Sequence, residues 1–115
     1  MAVIIFTGNA KSLLENFVYR INQKEIEDSI RTWSIDSDGD FTHKSDNWGR
    51  KAWFRPVVSS DRLTFHIIKT QKIAISTVVY GYYHGHLIET FLNHFDRSFS
   101  SAAATALPAT GDICS

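Results

Sequence analysis

The chain has 115 residues, the usual size of one domain, and folding should remove roughly 65% of the unfolded chain's surface from water. Hydrophobic residues make up 43% and charged residues 21%, which argues against a disordered chain. Twelve basic and twelve acidic residues cancel, so the chain lacks the basic excess of a general nucleic-acid binder. Charge repulsion between copies is therefore weak, which favours self-association.

Cysteine usage and apolar runs indicate the compartment. Cys114 is the only cysteine, so no disulfide can form within the chain, as is usual in a reducing environment. Residues 1–6 lack the basic flank and the length of a secretory signal. The longest strongly apolar stretch, residues 73–83, is too short to cross a bilayer. We therefore expect a cytoplasmic protein with no membrane association.

The first elements are a strand and a helix. Residues 2–6 form an uninterrupted, largely β-branched run that predicts a buried strand. Ser12 and Glu15 have the spacing of a capping box, in which each side chain satisfies the other residue's free amide. Apolar residues then recur with helical period, so we expect a first helix from about residue 10 to residue 24. The apolar positions are Leu13, Leu14, Phe17, Val18 and Ile21.

The middle of the chain predicts an antiparallel meander of short strands. Residues 36–40, between two of these strands, are all of types that favour turns: aspartate, serine and glycine. Pro56 has no amide to donate, so its strand is expected at an edge or beside a bulge. The strands are expected at residues 31–35, 41–43, 52–58 and 63–69.

The segment after residue 73 begins with β-branched residues that suit a strand, but a long apolar series then recurs at helical spacing. We expect a second helix from about residue 76 to residue 98, capped by Ser76 or Thr77. Gly81 and Gly85 lie four residues apart, a spacing that lets another backbone approach closely. The apolar series comprises Tyr80, Tyr83, His84, Leu87, Ile88, Phe91, Leu92, Phe95 and Phe99.

Together these elements predict an α+β fold. We expect an antiparallel sheet of about four strands, packed against one short helix and one long C-terminal helix. After Phe99 the composition turns to serine, alanine, proline and glycine. Residues 1–99 are therefore expected to form a single domain and residues 100–115 a flexible C-terminal tail.

Three carboxylates form the one weak metal candidate. Asp36, Asp38 and Asp40 occupy positions one, three and five, as in a calcium loop. Such a loop also needs glycine at position six and a bidentate glutamate at position twelve, where this chain has Phe41 and Asn47. A hairpin turn accounts for the same residues. We expect neither a metal ion nor a cofactor.

The histidines of the second helix form the densest polar cluster. His84 and His86 point about 200° apart on a helix and cannot share one ion. His84 lies on the apolar stripe, which predicts a hydrogen-bonded core residue; the alternative is a cleft residue beside Tyr83. The expected solvated face comprises His86, Glu89, Asn93 and Asp96.

Three runs of the sequence look like a known family. They are Asp38–His43 (DGDFTH), Lys51–Pro56 (KAWFRP) and Tyr83–Glu89 (YHGHLIE). Together they resemble a family of short bacterial proteins with no assigned activity. The resemblance covers most of the chain and implies a small cytoplasmic protein. It carries no catalytic residue across.

The leading functional hypothesis is a small non-enzymatic interaction module that binds a protein partner or a second copy of itself. A regulator, an inhibitor or an immunity-type protein would fit. The chain is neutral, has 13% aromatic residues and contains no complete catalytic motif. Trp33 and Trp53 are expected to be core aromatics more than Trp48. The expected binding residues are Trp48, Trp53, Tyr82, Tyr83 and His84.

Two alternatives stay open. A small hydrolase or nuclease would use His84 with His43 or with a carboxylate of residues 36–40, and it needs a cleft where these groups converge. The interaction hypothesis instead predicts an exposed apolar patch. A nucleic-acid-binding module, which the neutral charge disfavours, needs its cations gathered beside exposed aromatic residues. Those cations would be Lys44, Arg50, Lys51 and Arg55.

Overall fold

The computed structural model describes residues 2–23, 29–69 and 76–113. The chain is α+β with an antiparallel sheet and two helices, as expected, but the sheet has six strands rather than about four. The question of strand or helix at residues 73–75 lies outside the described residues, and the chain is helical from Thr77. The elements are β1 (Ala2–Phe6), α1 (Ala10–Asn22), β2 (Trp33–Ile35), β3 (Phe41–His43), β4 (Ala52–Val58), β5 (Arg62–Lys69), α2 (Thr77–Phe95) and β6 (Ser101–Ala104).

The sheet has the strand order β2-β3-β4-β5-β1-β6, and its neighbouring strands are antiparallel. The first strand, β1, therefore lies between β5, the last strand of the meander, and β6, the last strand of the chain. The register between β3 and β4 places Phe41 opposite Phe54. Pro56 lies beyond that pair, opposite Phe65 of β5. Within the paired residues, proline thus occupies a stretch of β4 with one neighbouring strand, as expected for an edge.

The chain after Phe99 was expected to lose regular structure, and that prediction is wrong for Ser101–Ala104, which form β6 against β1. Alanine is depleted in strands, so the segment has little preference of its own for this structure. The free edge of β1 supplies the hydrogen bonds instead. Further along, the amide of Ile113 donates to the carbonyl of Ile67 at 2.9 Å. The domain boundary and the flexibility of this segment stay predictions.

Both helices pack on one face of the sheet, and Phe17 of α1 lies at their meeting point. Its fully buried ring is 4.7 Å from Phe41, 5.9 Å from Phe65 and 4.9 Å from Phe91, measured between centroids. One side chain therefore joins α1, α2 and two strands, and the aromatic surplus of the sequence is largely core. Neither helix among the described residues is long and apolar enough to cross a bilayer.

The helix starts follow different rules. The helix α1 begins at Ala10, as expected, but the capping box predicted for Ser12 and Glu15 is wrong, because the cap position is Asn9, three residues before Ser12, and it makes no side-chain hydrogen bond. Ser12 consequently lies inside the first turn. The prediction for α2 is confirmed at Ser76, whose hydroxyl accepts the amide of Val79 at 3.3 Å.

Removal of residues 100–115 should destabilise the fold, because β6 is part of the sheet. The truncated chain would lose the hydrogen bonds between β6 and β1, which should lower the free energy of unfolding by at least about 2 kcal/mol. Urea denaturation followed by tryptophan fluorescence measures the change. A chain that ends at Leu107 keeps β6 and is the control. Equal stability of the chain ending at Phe99 and the full chain would contradict the pairing.

Candidate functional site

The loop between β3 and β4, residues 44–51, is held by two hydroxyl groups. The Tyr83 hydroxyl of α2 donates to the carbonyl of Trp48 and accepts the amide of Lys51 at 3.3 Å. The Thr42 hydroxyl of β3 donates to the carbonyl of Ala52 at 2.8 Å and accepts the amide of Arg50 at 3.0 Å. We call this segment the Trp48 loop. Tyr83, a predicted binding residue, is buried and fixes the loop.

The backbone of the Trp48 loop is constrained at two positions, Gly49 and Arg50. A Cβ atom on Gly49 would lie 2.8 Å from the carbonyl oxygen of Ser45 and 2.9 Å from that of His43. Arg50 has a φ of 61°, which lies in the left-handed region that residues other than glycine rarely adopt. Such a conformation persists only where the surroundings impose it, and the amide of Arg50 is indeed tied to Thr42.

Two histidines meet beside this loop. His43 Nε2 lies 2.6 Å from His86 Nδ1. Because the Ser45 amide donates to His43 Nδ1 at 3.1 Å, the proton of neutral His43 is on Nε2 and is donated to His86. His86 Nε2 lies 4.0 Å from Glu89 Oε1, beyond hydrogen-bond distance. The result is a directional pair of hydrogen bonds, one from the Ser45 amide to His43 and one from His43 to His86.

The pair is neutral on the His43 side. Burial, followed by the neighbouring charge of His86, lowers the pKa of His43 to about 4. The residue is only 4% exposed, and its Nδ1 accepts the Ser45 amide, so that a second proton would break this hydrogen bond. His43 is therefore uncharged at neutral pH and acts as a structural link between β3 and α2.

His86 was expected on a solvated face, and this is wrong: its ring packs 5.3 Å from Tyr82 and 6.1 Å from Trp33, centroid to centroid. The partner lies 43 residues earlier in the chain, so no local pattern could indicate the contact. The other three members of that predicted face, Glu89, Asn93 and Asp96, are exposed as expected.

The predicted binding aromatics divide between two faces of the protein. Trp48 stacks on Tyr82 with 4.0 Å between centroids and 5° between planes, and Lys51 Nζ lies 5.4 Å from the Trp48 ring. Trp33 is in the core, as expected. Trp53, also expected there, is half-buried and alternates with the core residue Phe54, so it lies on the opposite face of the sheet.

His84 combines the two roles that the sequence left open. Its Nδ1 donates to the carbonyl of Tyr80 at 2.7 Å, and its ring lies 5.3 Å from Phe54, as in a core residue. It also lines a groove between α2 and the end of β6. His43 lines a different cleft, so its close partner is His86 and not His84.

The acidic loop serves as a hairpin turn. Asp36 Oδ1 accepts the amides of Asp38 and Asp40 at 2.9 and 3.0 Å. Arg55 binds both carboxylate oxygens of Asp40 at 3.1 and 2.9 Å. The three carboxylates come within 4.8 Å of one another, the closest approach to a metal-ligand cluster among the described residues. An ion there would have to compete with the Arg55 guanidinium, which already neutralises Asp40.

The four predicted cations do not gather at one face. Lys44 and Arg50 line a polar cleft of about 410 Å³, next to His43. Lys51 lies over the Trp48 ring and Tyr82 stacks on it, so a base that stacked on Trp48 would have to compete with these contacts. Arg55 lies away from them, against the β2–β3 hairpin.

A series of apolar residues and glycines runs along the solvent-facing side of α2, beside the exposed polar residues Glu89 and Asn93, and no other described element covers it. We call this series the α2 outer face. Its member Ile88 is half-buried and also packs against the core. Val78 is 67% exposed and Leu92 is 53% exposed. A Cβ atom on Gly81 or on Gly85 would meet nothing within 4 Å. Its members follow one another at alternating steps of three and four residues, the spacing of a helix–helix seam. They are Val78, Gly81, Gly85, Ile88 and Leu92.

The groove lined by His84 adjoins the α2 outer face at Gly81. It has a volume of about 290 Å³ and is mostly apolar. Its lining comes from the first half of α2 and from the end of β6 with the two residues after it: Thr77, Tyr80, Gly81, His84, Ala104, Thr105 and Ala106. An apolar side chain that approached α2 at Gly81 would therefore find a recess already formed.

No family model, curated protein or solved structure matches the chain. The resemblance to short bacterial proteins thus stays a prediction. Function has to be argued from the geometry of the Trp48 loop and the α2 outer face.

Gly49→Ala should destabilise the Trp48 loop, because the new methyl group would press on two carbonyl oxygens. We expect a loss of about 1–3 kcal/mol in the free energy of unfolding, together with a shift of the Trp48 fluorescence. Gly8→Ala is the matched control, since a Cβ atom there meets nothing within 4 Å. Equal stability of the two variants would show that the loop relaxes freely.

Acid should weaken the fold through His43. Its pKa is about 4 in the folded protein and 6.5 in the unfolded chain, so the unfolded state binds more protons between these values. Stability should therefore fall as the pH drops from 6.5 to 4, by about 3 kcal/mol from this group. Urea denaturation at several pH values in that range gives the free energy of unfolding as a function of pH, and its slope should be shallower for His43→Gln than for the wild-type protein. An unchanged slope would contradict the assignment.

Proposed function

We propose that this chain is a small non-enzymatic interaction module, and that it docks an apolar helix on the α2 outer face. The exposed seam of that face is the observation on which the proposal rests. A regulator or an inhibitor would work in this way, since neither needs chemistry of its own. Peptide recognition by a helix on an apolar surface commonly uses such anchors three and four residues apart.

The energetic argument concerns Val78 and Leu92. Full burial of such a side chain is worth about 1.5–3 kcal/mol relative to exposure, so the uncovered face forgoes this stabilisation. Exposed apolar residues scattered singly need no explanation. Here the two exposed residues end a regular series on one helix whose inner member, Ile88, is half-buried against the core, and a regular apolar series on one helix is the mark of a packing surface.

A helix is the partner that fits the two glycines. Gly81 and Gly85 leave a shallow notch in the middle of the face, where another backbone can come close. Glu89 is the only aspartate, glutamate, lysine or arginine of α2, and it lies beside the seam rather than within it. The rigid stack of Tyr82 on Trp48 flanks the same side of the helix and supplies a half-buried rim.

The hydrolase or nuclease remains the second candidate, because the His43–His86 pair lies next to a cleft that contains Lys44 and Arg50. The protonation of the pair supports it less well. A general base works best with a pKa near the working pH, and His43 is far below neutrality. Its lone pair on Nδ1 is also occupied by the Ser45 amide.

Native mass spectrometry of the protein purified from its own host at low salt tests the proposal. We expect a defined complex, with itself or another protein, that Leu92→Glu abolishes by placing a charge in the seam. Tyr19→Glu is the matched control, because Tyr19 is an exposed apolar residue, as Leu92 is, but belongs to α1. A bare monomer in all three samples would refute the proposal. A monomer carrying a metal or small molecule that His43→Gln removes would favour the enzyme.

A further inference from the structure

We infer that the helix docked on the α2 outer face is α2 of a second copy of this chain, running antiparallel across a two-fold axis. The inference rests on the proposed function and names its partner. The inference follows from the order of glycines and large apolar residues along the α2 outer face. A two-fold interface requires a patch that is complementary to itself, so that residue i meets j and j meets i.

The required complementarity is present in the sequence of the seam. If the axis passes midway between His86 and Leu87, Leu92 of the second copy lies opposite Gly81, and Ile88 of the second copy lies opposite Gly85. Leu92 and Ile88 of one copy thus each meet a glycine of the other, while Val78 lies beyond these contacts at the end of the seam. The same two contacts are then repeated by symmetry on the other side of the axis.

The groove beside Gly81 extends this fit. Its volume of about 290 Å³ lies where Leu92 of the second copy would arrive, and its walls include the apolar residues Ala104 and Ala106. Burial in the groove would cover a side chain that is 53% exposed in the single chain. One recess in each copy would receive one leucine, as expected for an isologous contact.

A parallel pair fits less well. It would place Gly81 opposite Gly81 and Leu92 opposite Leu92, which leaves a gap at one end of the seam and crowding at the other. It would also put the two Glu89 side chains at the same level. The antiparallel pair separates them by about 7.5 Å along the axis, at 1.5 Å per residue. With no net charge on the chain, no general repulsion opposes the contact.

The expected affinity is modest. The seam from Val78 to Leu92 is about 21 Å long. A contact between two helices of that length lies at the small end of specific interfaces, so we expect a Kd in the micromolar range.

Mixed cysteine variants test the direction of the helices. Both samples carry Cys114→Ser, and one adds Gly85→Cys while the other adds Ile88→Cys. Mild oxidation of the mixture should give a disulfide-linked pair containing one chain of each variant, because these positions face each other in the antiparallel arrangement. Each variant oxidised alone should remain largely unlinked. Efficient linkage of each variant with itself would overturn the antiparallel arrangement.

Gly85→Gln separates folding from association. A Cβ atom on Gly85 meets nothing within 4 Å in the single chain, and glutamine is a better helix former than glycine, so the unfolding midpoint should stay equal or rise. The glutamine side chain would fill the notch that Ile88 of the second copy needs. Sedimentation equilibrium should show a Kd raised at least about 30-fold, whereas Asn93→Gln, on the exposed flank of α2, should leave it unchanged.

Wild-type protein that stays monomeric at about 100 µM, well above a micromolar Kd, would overturn the inference. If the host-purified complex were still abolished by Leu92→Glu, the proposed function would stand and its helix would belong to another protein. A dimer that survives Gly85→Gln unchanged would also overturn the inference, because its contact would lie elsewhere, for example at the free edge of β6.

Discussion

The rotation of α2 about its own axis depends on Tyr83. Its ring packs against Trp33 and Phe54, and its hydroxyl binds the backbone of the Trp48 loop on both sides of Gly49. A helix held only by apolar contacts can slide or turn at small cost, whereas a buried hydroxyl that satisfies two backbone groups cannot move without leaving them unpaired. The remaining features of the surface follow from this one orientation.

Once Tyr83 points inward, the circumference of α2 is divided into three parts. One part faces the sheet with Tyr83, Leu87 and Phe91, which are fully buried. The flank with Tyr82 and His86 meets the Trp48 loop and His43. The third part is the α2 outer face, where Ile88 also packs against the core but the exposed Val78 and Leu92 are explained by neither the core nor the loop. An amphipathic helix needs one apolar stripe to fold, and this helix has a second series about 140° away.

Local periodicity was sufficient for most of the fold, since both helices and five strands follow from repeats of 3.6 or two residues. It failed where the cause is distant. The alanines of β6 adopt a strand because β1 offers an edge, and the cap position of α1 is Asn9 instead of Ser12. At the site, Trp48, Tyr82 and Tyr83 could be selected from aromatic type alone. The contact between His43 and His86 could not, because it joins a strand and a helix 43 residues apart.

The His43–His86 pair shows why polar groups are kept in this part of the core. An apolar pair of similar size would bury equally well and would not titrate, so stability alone does not favour His43 and His86. Their hydrogen bonds are directional: the Ser45 amide fixes the tautomer of His43, which fixes the donor to His86, which fixes one flank of α2. Together with the Tyr83 hydroxyl, this chain specifies a single helix rotation. A single rotation is what a seam of alternating side chains and notches requires, because a turn of one residue would move every glycine away from its partner.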